Sequence, residues 1–267
     1  MKLVSHRGIG TNLSDNSLEA FDAAVRAGAS VLEVDLRTTS NGEIVLVHNK
    51  RHPKIADEGL VIHETTFERL RDAARASGAS LATFPAFHRA FGDHELILDI
   101  KWRSGPATLS ALRAWASAEG ALARLQERAF FLVWLPEHAA LARALFPRAR
   151  MVANRADSLR CVAAAAVRPV PFERHGFALV SVPSAVFRAP GLARRVAENL
   201  RDPRTELMNY LPGSAASVEC SRRLGVDLVM TDHAELWPRI SGMDSAAPPP
   251  AAASKGHRPS HDANPRQ

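Results

Sequence analysis

The sequence predicts an α/β protein, a (β/α)8 barrel. Short apolar runs alternate with longer amphipathic stretches, the pattern of βα units that build a parallel sheet. Eight such runs remain once one short ribbon is set aside, over about 240 of the 267 residues, a length that suits one barrel. No Gly-x-Gly-x-x-Gly follows the first run, so nothing supports an open, dinucleotide-binding sheet.

The elements follow in order. Leu3–Ser5 is the first strand. Leu18, Phe21, Val25 and Gly28 recur at helical spacing, and Asn16-Ser17-Leu18-Glu19 resembles a capping box with Asn16 as N-cap. Val31–Leu36 is the second strand, and the turn Thr39-Ser40-Asn41-Gly42 leads into the ribbon Ile44–His48. Leu96–Lys101, Ala129–Val133, Arg150–Ala153, Phe177–Val182, Glu206–Tyr210 and Val226–Thr231 complete the strands. Helices are expected at Ala107–Ala118, Pro136–Leu145, Ser158–Ala166, Leu192–Leu200, Ala215–Leu224 and Ala234–Ile240. The barrel is expected to occupy residues 1–242, and the Ala/Pro-rich stretch 243–267 to be a disordered tail.

Composition excludes several function classes. Apolar residues make up 46% and charged residues 23%, ordinary for a globular protein. The net charge is +6, and the arginines are scattered rather than clustered with aromatics, so no nucleic-acid partner is expected. No run of 18 apolar residues is present, and the N-terminus lacks the apolar stretch of a signal peptide, so a cytoplasmic protein without a membrane span is expected. Cys161 and Cys220 are too far apart in sequence to suggest a thiolate metal site.

Two strands carry charge where buried strands are normally apolar. Glu33 and Asp35 share one face of the second strand, and Asp99 and Lys101 one face of the next. Three carboxylates near strand C-termini form a hard oxygen site suited to Mg2+ or Ca2+. Ion pairs with nearby arginines are the structural alternative for Glu33 and Asp35, and a salt bridge with Lys101 or strand-end capping that for Asp99. His6 follows the first strand and His48 ends the ribbon, so two imidazoles stand beside the acidic strands as a general acid/base pair. Arg7 can fork onto phosphate oxygens, Lys101 can add a point charge, and Gly8 and Gly10 allow close backbone approach.

In this order, His6-Arg7-Gly8, Asp15-Asn16-Ser17-Leu18-x-Ala20-Phe21, Glu33-x-Asp35, Thr39-x-Asn41-Gly42 and Val47-His48 resemble the glycerophosphodiester phosphodiesterase family. Asp99-Ile100-Lys101 looks like the family's Glu-x-Lys, and Leu224–Asp232 like its closing LGVDGIITD strand. The resemblance implies a TIM barrel of the PLC-like phosphodiesterase type. It implies a metal-dependent enzyme that cleaves a small phosphodiester to an alcohol and glycerol 3-phosphate. Glu33, Asp35 and Asp99 would be the ligands of one Mg2+ or Ca2+, His6 and His48 the acid/base pair, and Arg7 and Lys101 the substrate contacts.

The chain departs from the family pattern at several places. His48 is followed by Asn49 where the family has Asp, and Asp99 stands where it has Glu. Arg204–Tyr210 replaces a Trp-Thr-Val-Asn segment whose tryptophan walls the substrate pocket, and the stretch Arg51–Thr66 is short. Two alternatives keep the same site. One is a sphingomyelinase-D-like phosphotransferase that releases cyclic phosphate. The other is a catalytically impaired barrel that binds phosphorylated ligands.

Overall fold

The computed structural model describes residues 1–9, 13–52, 55, 59–232 and 236–241. Gly10 and the expected tail at 243–267 lie outside the described residues. In chain order the elements are β1 (Lys2–His6), α1 (Leu18–Arg26), β2 (Val31–Thr38), β3 (Ile44–Leu46), α2 (Phe67–Ala76), α3 (Phe84–Phe91), β4 (Glu95–Ile100), α4 (Gly105–Ala118), α5 (Leu122–Arg128), β5 (Ala129–Val133), α6 (Pro136–Leu145), β6 (Arg150–Val152), α7 (Arg155–Ala165), α8 (Phe172–His175), β7 (Leu179–Pro183), α9 (Pro190–Leu200), β8 (Glu206–Tyr210), α10 (Ala215–Arg223), β9 (Leu228–Met230) and α11 (Trp237–Ser241).

The sheet runs β1-β9-β8-β7-β6-β5-β4-β2, and β1 pairs with β2 to close it. All eight strands of this ring are parallel, and β3 alone pairs antiparallel, with β2. The predicted barrel is therefore the fold.

The ends of the helices follow local chemistry. Ser17, not Asn16, is the N-cap of α1, its Oγ accepting the Ala20 N–H at 3.2 Å. Thr83, Asn154 and Ser214 cap α3, α7 and α10 in the same way. Proline occupies the first turn of α3, α4, α6 and α9, where no N–H is needed. Helices α2, α3, α5 and α8 add to those the sequence predicts. Of these, α3 packs Phe84, Phe87 and Phe91 into an aromatic cluster with Phe21 and Trp115; Phe21 and Phe87 meet edge-on at 4.7 Å.

Strand alternation sorts the barrel interior into three layers. Val4, Val31, Ile97, Phe130, Val152, Leu179, Met208, Leu228 and Met230 form an apolar middle layer. Below it, at the N-terminal ends of the strands, four charges from β1, β4, β6 and β8 close a ring. Lys2 pairs with Glu95 and, at 3.4 Å, with Glu206; Arg150 pairs with Glu95 at 3.0 Å and Glu206 at 2.6 Å. The Arg150 guanidinium also lies 3.7 Å from the centre of the Phe130 ring. Above the middle layer, at the C-terminal ends, lie the charged residues singled out in the sequence. Cys161 and Cys220 are free thiols, and burial pushes Cys161 up to about 11.

Candidate active site

β2 and β4 run side by side with Asp35 opposite Asp99, and β1 ends with His6 opposite Glu33. Inward-facing positions therefore bring Glu33, Asp35 and Asp99 together. All three are buried, and each can turn a carboxylate oxygen to within 4.8 Å of the others. β3 occupies the edge of β2 that β1 leaves free, running back toward the end of β1 from Thr38 to Leu36. That reversal delivers His48 to the same edge as His6. The structure thus brings all seven predicted residues, His6, Arg7, Glu33, Asp35, His48, Asp99 and Lys101, to one mouth of the barrel.

The backbone is strained where the site is built. Arg7 and Asn16 adopt left-handed φ angles of 61° and 60°. Such angles cost a non-glycine residue roughly 1–3 kcal/mol. The Arg7 N–H donates to the Glu33 backbone carbonyl at 3.1 Å and to Oε2 at 3.2 Å, and the Arg7 carbonyl accepts the Asn16 N–H at 2.9 Å. Asn16 then clamps Asp35: its Nδ2 donates to Oδ2 at 2.8 Å, and its Oδ1 accepts the Asp35 N–H at 3.1 Å. The positive φ takes Asn16 out of the capping role expected of it and turns it into the site.

Charge is unevenly shared within the cluster. Arg7 Nε lies 2.9 Å from Asp35 Oδ2 and Lys101 Nζ 2.7 Å from Oδ1, while the same ammonium lies 2.5 Å from Asp99 Oδ2. Burial pushes the Asp35 carboxyl up, but Lys101 and Arg7 outweigh it and hold the group well below the usual carboxylate range. Burial also works against Lys101, yet Asp35 and Asp99 keep it a raised, charged ammonium. Glu33 makes no direct ion pair among the described residues; burial, then repulsion from Asp35, push it well above the ordinary value. The ion-pair alternative therefore accounts for Asp35 and Asp99 but leaves Glu33 uncompensated.

The donor set fits one hard divalent cation. Mg2+ and Ca2+ take oxygen ligands at about 2.0–2.6 Å, which carboxylate oxygens this close together can supply around a shared centre. Once all three carboxylates are ionised around a cation, Arg7 and Lys101 offset two of their charges and leave one negative. A divalent cation and a phosphodiester monoanion would bring the set to neutrality.

The two histidines have different partners. His6 Nδ1 lies 2.8 Å from Asp232 Oδ1, and the His6 ring meets Tyr210 edge-on at 6.5 Å. His48 Nδ1 lies 2.9 Å from Asn49 Oδ1, an oxygen that can only accept, so Nδ1 carries the proton and Nε2 is left open. Buried Arg37 holds the His48 carbonyl through Nε at 3.1 Å and Nη2 at 2.7 Å. Burial lowers His48 to about 4, and Lys101 and Arg7 add to this against the pull of Asp35. The phenol of Tyr210, pushed up to about 12 by desolvation and Glu33, stays neutral.

The sequence profile of the glycerophosphoryl diester phosphodiesterase family matches residues 6–236. The chain belongs to that family. A glycerophosphodiester phosphodiesterase of Caldanaerobacter subterraneus is 26% identical over 110 residues, which are 39% of this chain and 45% of the relative. One of Bacillus altitudinis is 27% identical over 70 residues, 26% of this chain and 29% of the relative. The chain thus spans less than half the length of these curated relatives. Solved structures share the family fold. A glycerophosphodiester phosphodiesterase from Agrobacterium tumefaciens superposes with a TM-score of 0.67 at 18% identity, covering 90% of this chain and 99% of that one. An Oleispira antarctica phosphodiesterase in complex with sn-glycerol-3-phosphate gives 0.62 at 17% identity, covering 92% and 97%. Among the described residues no helix is long and apolar enough to cross a membrane.

Asn16, Asp232, Trp134, Tyr210 and Arg37 were not assigned a place in the site from sequence. Asp232 sits in the closing strand motif and Tyr210 ends the segment that replaces the family's Trp-Thr-Val-Asn, so both lay within stretches already singled out. Asn16 also stands in a singled-out stretch, but as a helix cap, whereas Trp134 and Arg37 become visible only through their contacts.

Proposed function

We propose that the protein hydrolyses glycerophosphodiesters to an alcohol and glycerol 3-phosphate, with one divalent cation, Mg2+ or Ca2+, held by Glu33, Asp35 and Asp99. The observation that carries this reading is the convergence of those carboxylates, two histidines and the Arg7/Lys101 pair on one mouth of a barrel of this family. The Oleispira antarctica relative, crystallised with sn-glycerol-3-phosphate, supports the choice of product. The cation would supply Lewis-acid polarisation of the phosphoryl group.

The protein's own groups do the rest. Arg7 and Lys101 point N–H donors at the phosphoryl oxygens and meet the negative charge that builds up there. His48, neutral with an open Nε2, takes a proton from the attacking water as the new P–O bond forms. As the bond from phosphorus to the alcohol oxygen breaks, His6 delivers a proton to that oxygen through Nε2, with Nδ1 held by Asp232. Two histidines in unlike surroundings can divide acid and base work in this way. We place this chemistry in the cytoplasm.

The test is turnover of glycerophosphocholine, glycerophosphoethanolamine, glycerophosphoglycerol and glycerophosphoinositol with Mg2+, with Ca2+ and with chelator. Release of glycerol 3-phosphate that requires both cation and His6 is expected. Ligand uptake without turnover would instead identify a binding barrel, and a cyclic phosphate as the final product would identify a phosphotransferase.

A further inference from the structure

Trp134 follows β5 directly, and the register that pairs Ile100 with Val133 carries it to the level of Lys101. Its indole Nε1–H donates to Asp99 Oδ1 at 2.7 Å, while Lys101 Nζ holds Oδ2 at 2.5 Å. The same ammonium lies 5.7 Å from the indole centre. Each oxygen of Asp99 therefore has its own donor.

We propose that Trp134 is a positioning residue that fixes the plane of the Asp99 carboxylate so that this short side chain can serve as a cation ligand. The inference rests on reading Glu33, Asp35 and Asp99 as cation ligands. Four physical points support it. Without the indole, Asp99 could swing to present both oxygens to Lys101, withdrawing from Glu33 and Asp35. The indole N–H is neutral, so it orients the carboxylate without adding a positive charge that would repel an incoming cation. A carboxylate offers about four lone-pair sites, so two donors leave about two for a cation. Asp99 is also one methylene shorter than the glutamate of the family pattern, so it has less reach with which to correct a misplaced plane.

The experiment is calorimetric titration of the full chain with Mg2+ and separately with Ca2+, comparing the wild type with Trp134→Phe. The variant keeps an aromatic face and loses only the donor. Partners that orient metal ligands are typically worth 10–100-fold in affinity, so the cation Kd should rise about 10- to 100-fold. At saturating cation, the KM for glycerophosphocholine should change less than about threefold. An unchanged cation Kd in the variant overturns the role of Trp134, and a raised KM beside it would make the indole a substrate wall instead. A wild type that binds neither cation refutes the ligand reading of the cluster and takes this inference with it. If Trp134→Phe does not fold, the 15N-labelled indole of the wild type decides: its N–H resonance should shift as Mg2+ saturates, and an unmoved resonance overturns the proposal.

Discussion

Asn49→Asp separates the proton-transfer reading of His48 from a merely structural one. In the structure the ring is held by a neutral amide oxygen at 2.9 Å, and burial, with Lys101 and Arg7, keeps its pKa at about 4. The substitution exchanges that amide for a carboxylate of the same shape. At about 4 Å and an effective dielectric of roughly 20–40, imidazolium and carboxylate attract by about 2–4 kcal/mol. That is about 1.5–3 pKa units at 1.36 kcal/mol per unit. His48 should therefore titrate near pH 5.5–7, up from about 4. The base works when deprotonated, so activity falls as pH drops through its pKa, and the variant should lose rate at a higher pH than the wild type. The assay is the pH dependence of kcat/KM for glycerophosphocholine between about pH 4 and 9 at saturating Mg2+, whose acid limb reports the base of the free enzyme. An acid limb that stays in place, or moves to lower pH, would refute the assignment of His48 as proton acceptor.

Arg150→Ala should lower unfolding stability by about 2 kcal/mol in urea while leaving kcat unchanged, because it removes two partly exposed ion pairs and a cation–π contact on the far side of the apolar layer. The same ring gives an acid limit to stability. Burial opposes ionisation of Glu95, but Lys2 and Arg150 hold it below the ordinary value of 4.5, so its contribution is complete above that value and is lost as pH falls through the lowered folded pKa; acid-induced unfolding should begin at higher pH in Arg150→Ala. Gly8→Ala places a Cβ 2.6 Å from Ala20 Cβ and 2.7 Å from its carbonyl carbon at a φ of +83°. A cost of about 2–4 kcal/mol, read as a lower Tm, is expected from overpacking and backbone strain together. Removal of residues 243–267 should leave both Tm and kcat/KM unchanged, and a loss of either would give the tail a role in the barrel.

The strands were readable because their side chains break or keep an apolar alternation that single residues reveal. A charge at Glu33, Asp35 or Asp99 stands out against valine, leucine and isoleucine, and the sheet register then brings the three together. The helices between β3 and β4 were harder. Phe84-Pro85 reads as a break until the proline is seen to occupy the first turn, and only Leu70 and Ala74 of α2 are fully buried. Which distant residues meet has no local sign, even where a residue itself stands in a recognisable stretch. Asn16 meets Asp35 across 19 positions, Trp134 meets Asp99 across 35, and Asp232 meets His6 across 226. Asn16 shows how a local rule misleads, since its side chain could cap α1 but its backbone angle takes it to the carboxylate, and Ser17 caps instead.

The apolar layer halfway down the barrel also bears on the order of events in a catalytic cycle. Among the described residues, those from Val4 to Met230 fill the middle of the barrel and the Lys2–Glu95–Arg150–Glu206 ring lies beneath them, so the site opens toward the C-terminal ends of the strands. In the proposed reaction the diester enters, and the alcohol and the phosphate leave, past the same rim. The alcohol, which carries no phosphate for Arg7 and Lys101 to hold, should depart first. The glycerol 3-phosphate left behind then competes with the next substrate for Arg7 and Lys101, so accumulated product throttles its own formation.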